Sequence, residues 1–239
     1  MAADRISPLL LLLFLAAVSA AASARLLQPG PSSEKVNLAL YYESLCQGSS
    51  GFIVDSLHEL VEDDEMINIV DLELVPYGNA QIDQDGTVVC QHGEWECKLN
   101  KVEACAIDAL PGVKGQFSFI FCVEDLVNKG QYTEWEQCLS SVEVDPEPIT
   151  NCYSGQRGDE LIALNAAKTG ALKPPHEFVP WVTVKEEPLY YKFEDYIEYV
   201  CKAYKGPNRP AKCSQHASHK STPRNEGSSD LKACPRQEA

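Results

Sequence analysis

The 239-residue chain is poor in the local signatures by which many enzymes are recognised. No glycine-rich phosphate loop follows a strand pattern, which removes the usual nucleotide-binding fingerprints, and no Gly-x-Ser-x-Gly elbow offers a serine-hydrolase nucleophile. No Asn-x-Ser/Thr sequon occurs. Beyond the N-terminal segment no stretch is apolar enough to cross a bilayer. Positive charge is scarce: 20 Lys and Arg against 35 Asp and Glu give a formal charge of −15. The basic residues gather at the end, where eight Lys and Arg face three acids from Lys202 to Ala239. The preceding body is therefore more acidic than the whole. Such a body repels nucleic acid and anionic membranes, and neither is expected as a partner. Its acids read as a solvated surface that carries solubility.

Cysteine, by contrast, is plentiful. The N-terminus places Arg5 ahead of an apolar run from Leu9 to Val18, followed by small residues at Val18-Ser19-Ala20 and Ala22-Ser23-Ala24. This is the pattern of a secretory signal peptide over residues 1–24, with a linker over 25–34. Ten cysteines in an exported chain imply a disulfide-stapled scaffold, because such bonds persist in oxidising compartments.

The stretch Val36–Leu60 reads as a buried strand, Val36–Tyr42, then a turn carrying Cys46, then an amphipathic helix from about Ser49. Phe52, Ile53, Leu57, Leu60 and Val61 share one helical face. Ser49 or Ser50 is suited to cap the first turn. Cys46 thus falls just before a helix N-terminus, where peptide dipoles favour an anion and thiol pKa values drop. It is the candidate nucleophile; the competing reading is a structural half-cystine. The turn is Cys46-Gln47-Gly48-Ser49, so a hydroxyl stands where a dithiol enzyme carries its second cysteine. Ser49 can donate a hydrogen bond to a Cys46 thiolate but cannot form a disulfide.

Met66–Val75 alternates as a second strand, which makes a strand–helix–strand unit with a parallel crossover. A cysteine-rich stretch follows from Thr87 to Leu110. Cys90, His92, Cys97 and Cys105 match none of the common zinc spacings, and export favours disulfides, so no metal is expected. Helical patterns over Asn100–Leu110, Phe117–Asn128, Thr133–Leu139 and Asp159–Leu172 carry Cys105, Cys122 and Cys138, with Cys152 between the last two. They describe an all-α insertion over about 79–175, with Trp95 and Trp135 as packing residues. Which cysteines pair cannot be read from the sequence.

Val179-Pro180 then opens a strand, Trp181–Val184, with a short partner at Leu189–Tyr191. An X-Pro bond ahead of a buried strand is a place where a cis peptide can occur, although base rates favour trans. Lys192–Tyr204 is the best-patterned helix and carries Cys201. Residues 205–239 are polar and basic and read as a disordered tail.

The order β-α-β, helical insertion, β-β-α within an α/β domain over 35–204 resembles the thioredoxin fold, in its DsbA-like branch. The run Cys90-Gln91-His92-Gly93, Glu96-Cys97, Asn100 and Cys105 fills every position of CQHGxxECxxNxxxxC. In this the chain resembles the gamma-interferon-inducible lysosomal thiol reductase family, as it does at Tyr41–Cys46 and Val179–Val184. The resemblance implies an oxidoreductase that reduces protein disulfides, in the secretory pathway and then the lysosome, vacuole lumen or extracellular space. It makes Cys46 the attacking thiol, puts Ser49 in the resolving position, and makes Pro180 a cis-Pro with Val179 presenting backbone to an extended substrate. Cys90, Cys97, Cys105, Cys122, Cys138, Cys152 and Cys201 are then structural half-cystines.

The chemistry needs thiolate. At about pH 5 an ordinary thiol is ionised in roughly one molecule in 3,000, so a depressed pKa matters in an acid lumen. In the sequence no Lys, Arg or His adjoins Cys46, and Glu43 opposes the shift. His58 lies too far along the helix to act as a base. With one thiol, the mixed disulfide with substrate would be cleared by glutathione or free cysteine, without a bound cofactor. Disulfide-containing or unfolded polypeptides and small thiols are the expected partners. The alternative is a non-catalytic thioredoxin-like module that binds extended or Cys-containing polypeptides. If Cys46 is free, nine cysteines remain, and Cys213 and Cys234 in the tail can pair with each other. A tail cysteine acting as a tethered resolving thiol is the less favoured option. His216 and His219 are weak metal candidates at most.

Overall fold

The computed structural model describes residues 35–141, 145–218 and 233–237. The expected signal peptide and linker, and His219, lie outside them, as does the side chain of His216.

The first strand, β1 (Val36–Tyr42), is covered on both faces, and its hydrophobic run reflects that. It sits inside a four-stranded sheet of order β2-β1-β6-β7, with β2 spanning Val70–Pro76, β6 Trp181–Val184 and β7 Glu187–Pro188. β2 runs parallel to β1, with Val36 opposite Val70 and Tyr42 opposite Pro76. A parallel pair needs a long crossover. Here it is α1, a helical run composed of Gln47–Gly51, a π-helical stretch Phe52–Leu57 and His58–Glu62, followed by α2 (Asp64–Asn68). β6 joins the other side of β1 in antiparallel register, Tyr41 opposite Trp181 and Leu38 opposite Val184.

Two differences from the sequence reading have local causes. Met66–Asn68 is helical because the Asp63 carboxylate accepts from the backbone N–H of Glu65 and Met66 at 3.0 and 3.1 Å, which caps a new turn. The strand therefore starts at Val70. The partner of β6 is Glu187–Pro188, and Tyr190–Asp195 winds into a 3₁₀ segment before α7 (Tyr196–Ala203). Phe52 from α1 meets Phe193 and Tyr196 edge-on, with ring centroids 5.6 and 5.4 Å apart, which locks the C-terminal helix over the sheet.

Between β2 and β6 lie a small hairpin, β3 (Gln81–Ile82) with β4 (Val88–Val89), and a helical layer. The layer comprises α3 (Glu94–Ala109), α4 (Gly112–Asn128), a 3₁₀ segment Tyr132–Ser141, α5 (Glu147–Ser154) and α6 (Gln156–Gly170). It has its own core around Leu99, Phe119, Val123 and Trp135. The insertion is thus helical but not wholly so. Cys105–Cys152 ties α3 to α5, and Cys122–Cys138 ties α4 to the 3₁₀ segment. With 47 residues of separation, the first of these is worth roughly 4 kcal/mol in the loop-entropy picture. Cys90–Cys97 clasps the turn that leads into α3.

The tail differs most from expectation. Ala211–Ser218 forms α8, and Cys201–Cys213 bonds it to α7. Cys234–Pro235 forms β8, antiparallel to β5 (Phe178–Val179). Cys213 and Cys234 are therefore not bonded to each other. Composition misled here because order is imposed by covalent and backbone bonds from elsewhere, and local hydrophobic burial contributes little.

Beneath the end of β1 lies a buried acidic group. Burial pushes the Glu103 carboxyl well up, with Glu124 beside it adding to the effect. Burial likewise raises Glu124 to about 7, although Ser44 Oγ donates to it at 2.7 Å. Glu96 is raised to about 8, first by burial and then by Glu43. These carboxyls keep their protons in the fold but lose them near pH 4.5 when unfolded. Their contribution is complete below the ordinary carboxylate range; that of Glu124 and Glu96 is lost as pH rises through about 7 and about 8, and that of Glu103 declines in the same direction. His176 opposes it: burial holds its pKa at about 4, so it costs stability as pH falls below about 6.5. Three protons outweigh one between about pH 4.5 and 6.5. Thermal unfolding should therefore occur higher at about pH 5 than at about pH 8, by on the order of 5 °C or more. Glu103→Gln should flatten the profile, and equal melting temperatures at the two pH values would refute this account.

Candidate functional site

The loop after β1 brings Cys46 to the start of α1. Leu45 takes a positive φ of 68°, which turns the chain sharply, and Cys46 becomes the N-cap residue with extended backbone. The helix begins at Gln47, two residues earlier than the hydrophobic pattern suggests, so neither serine caps it. Ser50 Oγ instead donates to the Cys46 carbonyl at 3.2 Å and to Asn128 Oδ1 at 2.6 Å. Ser49 is fully buried, and its hydroxyl has no hydrogen-bond partner among the described residues. The expected bond from Ser49 is one to a Cys46 thiolate, and Cys46 is disulfide-bonded here. Burial at the first helical turn leaves that hydroxyl facing the protein interior.

Cys46 itself is bonded to Cys234 across 188 residues of sequence. The described residues contain no free cysteine, which corrects the arithmetic that left Cys46 unpaired. Cys46 Sγ also lies 3.7 Å from the carbonyl oxygen of Val179. The Val179-Pro180 peptide is cis, and Val179 pairs with Cys234 in the short β5–β8 ladder. Nucleophile candidate, proline and tail cysteine thus converge, whereas the sequence placed the first two together and left the third aside.

Three more bonds hold the tail strand by its backbone. Asn79 Nδ2 donates to the Cys234 carbonyl at 3.1 Å, Gln91 Nε2 to the Pro235 carbonyl at 3.0 Å, and the Arg236 N–H to the Glu177 carbonyl at 2.8 Å. None reads a side chain of the tail. Gln91 and Asn79 are themselves joined, Asn79 Nδ2 to Gln91 Oε1 at 2.7 Å.

Glu43, fully buried, organises the polar wall of the site. Its carboxylate accepts the Asn79 backbone N–H at 2.7 Å and faces His92 Nε2 at 3.3 Å. Gly78 has φ +59°, and a Cβ there would clash with the Glu43 side chain, so glycine permits this approach. The hydrogen bond to Glu43 raises the pKa of His92, against the opposing effect of burial. The signature cysteines Cys90 and Cys97 fix the turn that presents Gln91 and His92. Glu96 Oε2 accepts the His92 backbone N–H at 2.6 Å, and Asn100 Oδ1 accepts the Ser44 N–H at 2.9 Å. The motif that reads as a zinc site or as scaffold in sequence therefore builds the wall next to Cys46.

One ligand-type atom from each of Glu43, Cys46, His92 and Cys234 lies within 4.8 Å of the others. A metal could be held only if the two sulfurs were not bonded to each other. His92 was not among the site residues expected from the sequence, and Cys234 entered only as one of two tail cysteines in the less favoured option of a tethered resolving thiol. His92 was visible in the motif but not its approach to Cys46, and nothing local marks Cys234. His58 is half-buried against Phe121, at 4.4 Å between ring centroids, and remote in role.

The geometry agrees with comparisons to known proteins. Residues 37–142 match the family model described as "Gamma interferon inducible lysosomal thiol reductase (GILT)". The chain is 46% identical over 195 residues to the "Gamma-interferon-responsive lysosomal thiol protein" of Arabidopsis thaliana, covering 80% of this chain and 81% of that one. It is 41% identical to the mouse "Gamma-interferon-inducible lysosomal thiol reductase", over 80% and 76% of the two chains. Among solved structures it is similar to DsbA from Mycobacterium tuberculosis, with a TM-score of 0.53 at 15% identity, covering 80% of this chain and 91% of that one. BdbD from Bacillus subtilis gives 0.52 at 15% identity, over 74% and 91%. These structures share the fold, a thioredoxin-like α/β architecture with a helical insertion. The chain belongs to the gamma-interferon-inducible lysosomal thiol reductase family.

Proposed function

We propose that this thiol–disulfide oxidoreductase uses Cys46 as its attacking thiol on protein disulfides, with electrons supplied by a small thiol such as glutathione or free cysteine. The carrying observation is the placement of Cys46: at a helix N-cap, beside the Val179 carbonyl, with an extended strand paired against β5 and bonded through sulfur. A substrate strand in the same position would present its disulfide to the same sulfur. The Cys46 thiolate attacks one substrate sulfur, the substrate S–S bond breaks, and the departing sulfur leaves as a thiolate that takes a proton. No bound cofactor enters this step. Ser49 contributes no sulfur, so the mixed disulfide must be resolved from outside the Cys-x-x-Ser turn.

Two positive influences favour the thiolate. One is the first turn of α1, whose backbone N–H groups lack helical partners. The other is His92, which its bond to Glu43 keeps protonated to higher pH than an ordinary histidine. Both act in acid, which suits a lysosomal or vacuolar lumen, and five disulfides suit any oxidising compartment of the secretory route.

The direct test is reduction of a denatured disulfide protein with glutathione as sole reductant, at about pH 5 and about pH 7, beside Cys46→Ala. Native protein should catalyse it and the variant should give the uncatalysed rate. A folded native protein no faster than the variant would overturn the enzyme reading and leave a polypeptide-binding module. The second test isolates His92. In reduced His92→Gln, alkylation of Cys46 by iodoacetamide at about pH 5 should slow roughly tenfold, the equivalent of about one pKa unit. The deficit should shrink as pH rises and the native imidazolium loses its proton. An equal deficit at every pH would point to altered packing.

A further inference from the structure

We infer that Cys234 is the resolving thiol of this enzyme, and that the tail strand carrying it alternates with substrate in one groove. The inference rests on the assignment of Cys46 as attacking thiol. Four observations support it. Cys234 is covalently paired with Cys46 although Ser49 occupies the turn position. The tail strand lies antiparallel on Phe178–Val179, next to Pro180, where the extended substrate is expected. Asn79, Gln91 and the Glu177 carbonyl grip it only through main-chain groups, so any extended polypeptide could take the same bonds. Finally, Cys46 has no solvent exposure with the strand in place, whereas Cys234 is partly exposed. Substrate therefore reaches Cys46 only after the strand has left. Upstream of the strand, the Cys201–Cys213 bond anchors α8 to α7.

The cycle balances. Reduced Cys46 attacks the substrate disulfide, forming Cys46–S–S–substrate and releasing one substrate thiol. The Cys234 thiolate then attacks Cys46 Sγ, the mixed disulfide breaks, and the second substrate thiol leaves. The enzyme is now the oxidised form described above. A small-molecule thiolate attacks the more exposed Cys234 sulfur and expels Cys46 as thiolate, which the helix terminus and His92 stabilise as a leaving group. A second small thiol releases Cys234 and yields the small-molecule disulfide. Two electrons pass from two small thiols to one substrate disulfide.

The test is a single turnover with full-length protein, reduced and freed of reductant, mixed at about pH 5 with an equivalent of denatured disulfide protein. Samples are quenched by alkylation and read by intact mass. The native chain should release both substrate thiols and finish with Cys46 bonded to Cys234. Cys234→Ser should stop at the Cys46–substrate mixed disulfide with one thiol released. Gln91→Ala, which leaves both cysteines in place, should reach the native end point several-fold more slowly. If the native chain also stops at the mixed disulfide, or Cys234→Ser resolves it equally fast, Cys234 is not the resolving thiol, and the role of Cys46 stands. If neither protein forms a mixed disulfide, the role of Cys46 falls and this inference with it.

Discussion

A carboxylate sealed from solvent must be surrounded by donors, and at Glu43 that requirement shapes the whole active region. The side chain leaves the end of β1 just before Cys46. Its donors come from two other places: the Asn79 backbone in the turn after β2 and the His92 ring in the cysteine-clasped turn ahead of α3. Neither donor can approach unless Gly78 lacks a Cβ and the Cys90–Cys97 bond holds its short loop. Three segments distant in sequence are thus drawn to one point by the cost of leaving a buried charge unpaired. The same residues border the groove: Asn79 Nδ2 donates to the tail backbone, and a His92 ring nitrogen lies within 4.8 Å of the sulfurs.

Four titratable groups around the site shift in one direction, against His176, which shifts in the other. Glu96, Glu103 and Glu124 are protonated more readily in the fold than free in water, because burial disfavours their charge. His92 is protonated more readily because Glu43 holds its proton. Acid therefore removes negative charge from behind the site and maintains positive charge in front of it. Thiolate formation becomes harder as pH falls for any thiol, and a protonated His92 beside the sulfurs offsets part of that loss.

How much was legible follows from how local each cause is. β1 and β6 were readable because strands buried on both faces must be continuously apolar. The fold followed from their order around a helical insertion. The family motif was readable residue by residue. The turn at Asp63 was missed because its cap depends on one carboxylate competing with an otherwise plausible strand pattern. His92 reaches Cys46 only through the turn geometry that a disulfide fixes, and no periodicity encodes that. Cys234 lies at the far limit: a polar segment with no hydrophobic pattern, ordered by one sulfur bond and a few backbone hydrogen bonds.

That distance has a chemical use. A second cysteine at position 49 would sit inside the first turn of α1, where Ser49 is wholly buried, and would stay beside Cys46 whether or not substrate were bound. Such a thiol can close the site before substrate arrives without occupying the groove. A resolving thiol on a displaceable strand behaves differently. It can bond Cys46 only when the groove is free of substrate main chain, since both need the edge of Phe178–Val179. On the proposed assignment of Cys234, resolution would be coupled to departure of the substrate strand, and the oxidised form would keep the Cys46 sulfur covered until a small thiol reached Cys234. With Ser49 in the turn and Cys234 as the proposed second thiol on the tail, redox state and groove occupancy would be the same variable.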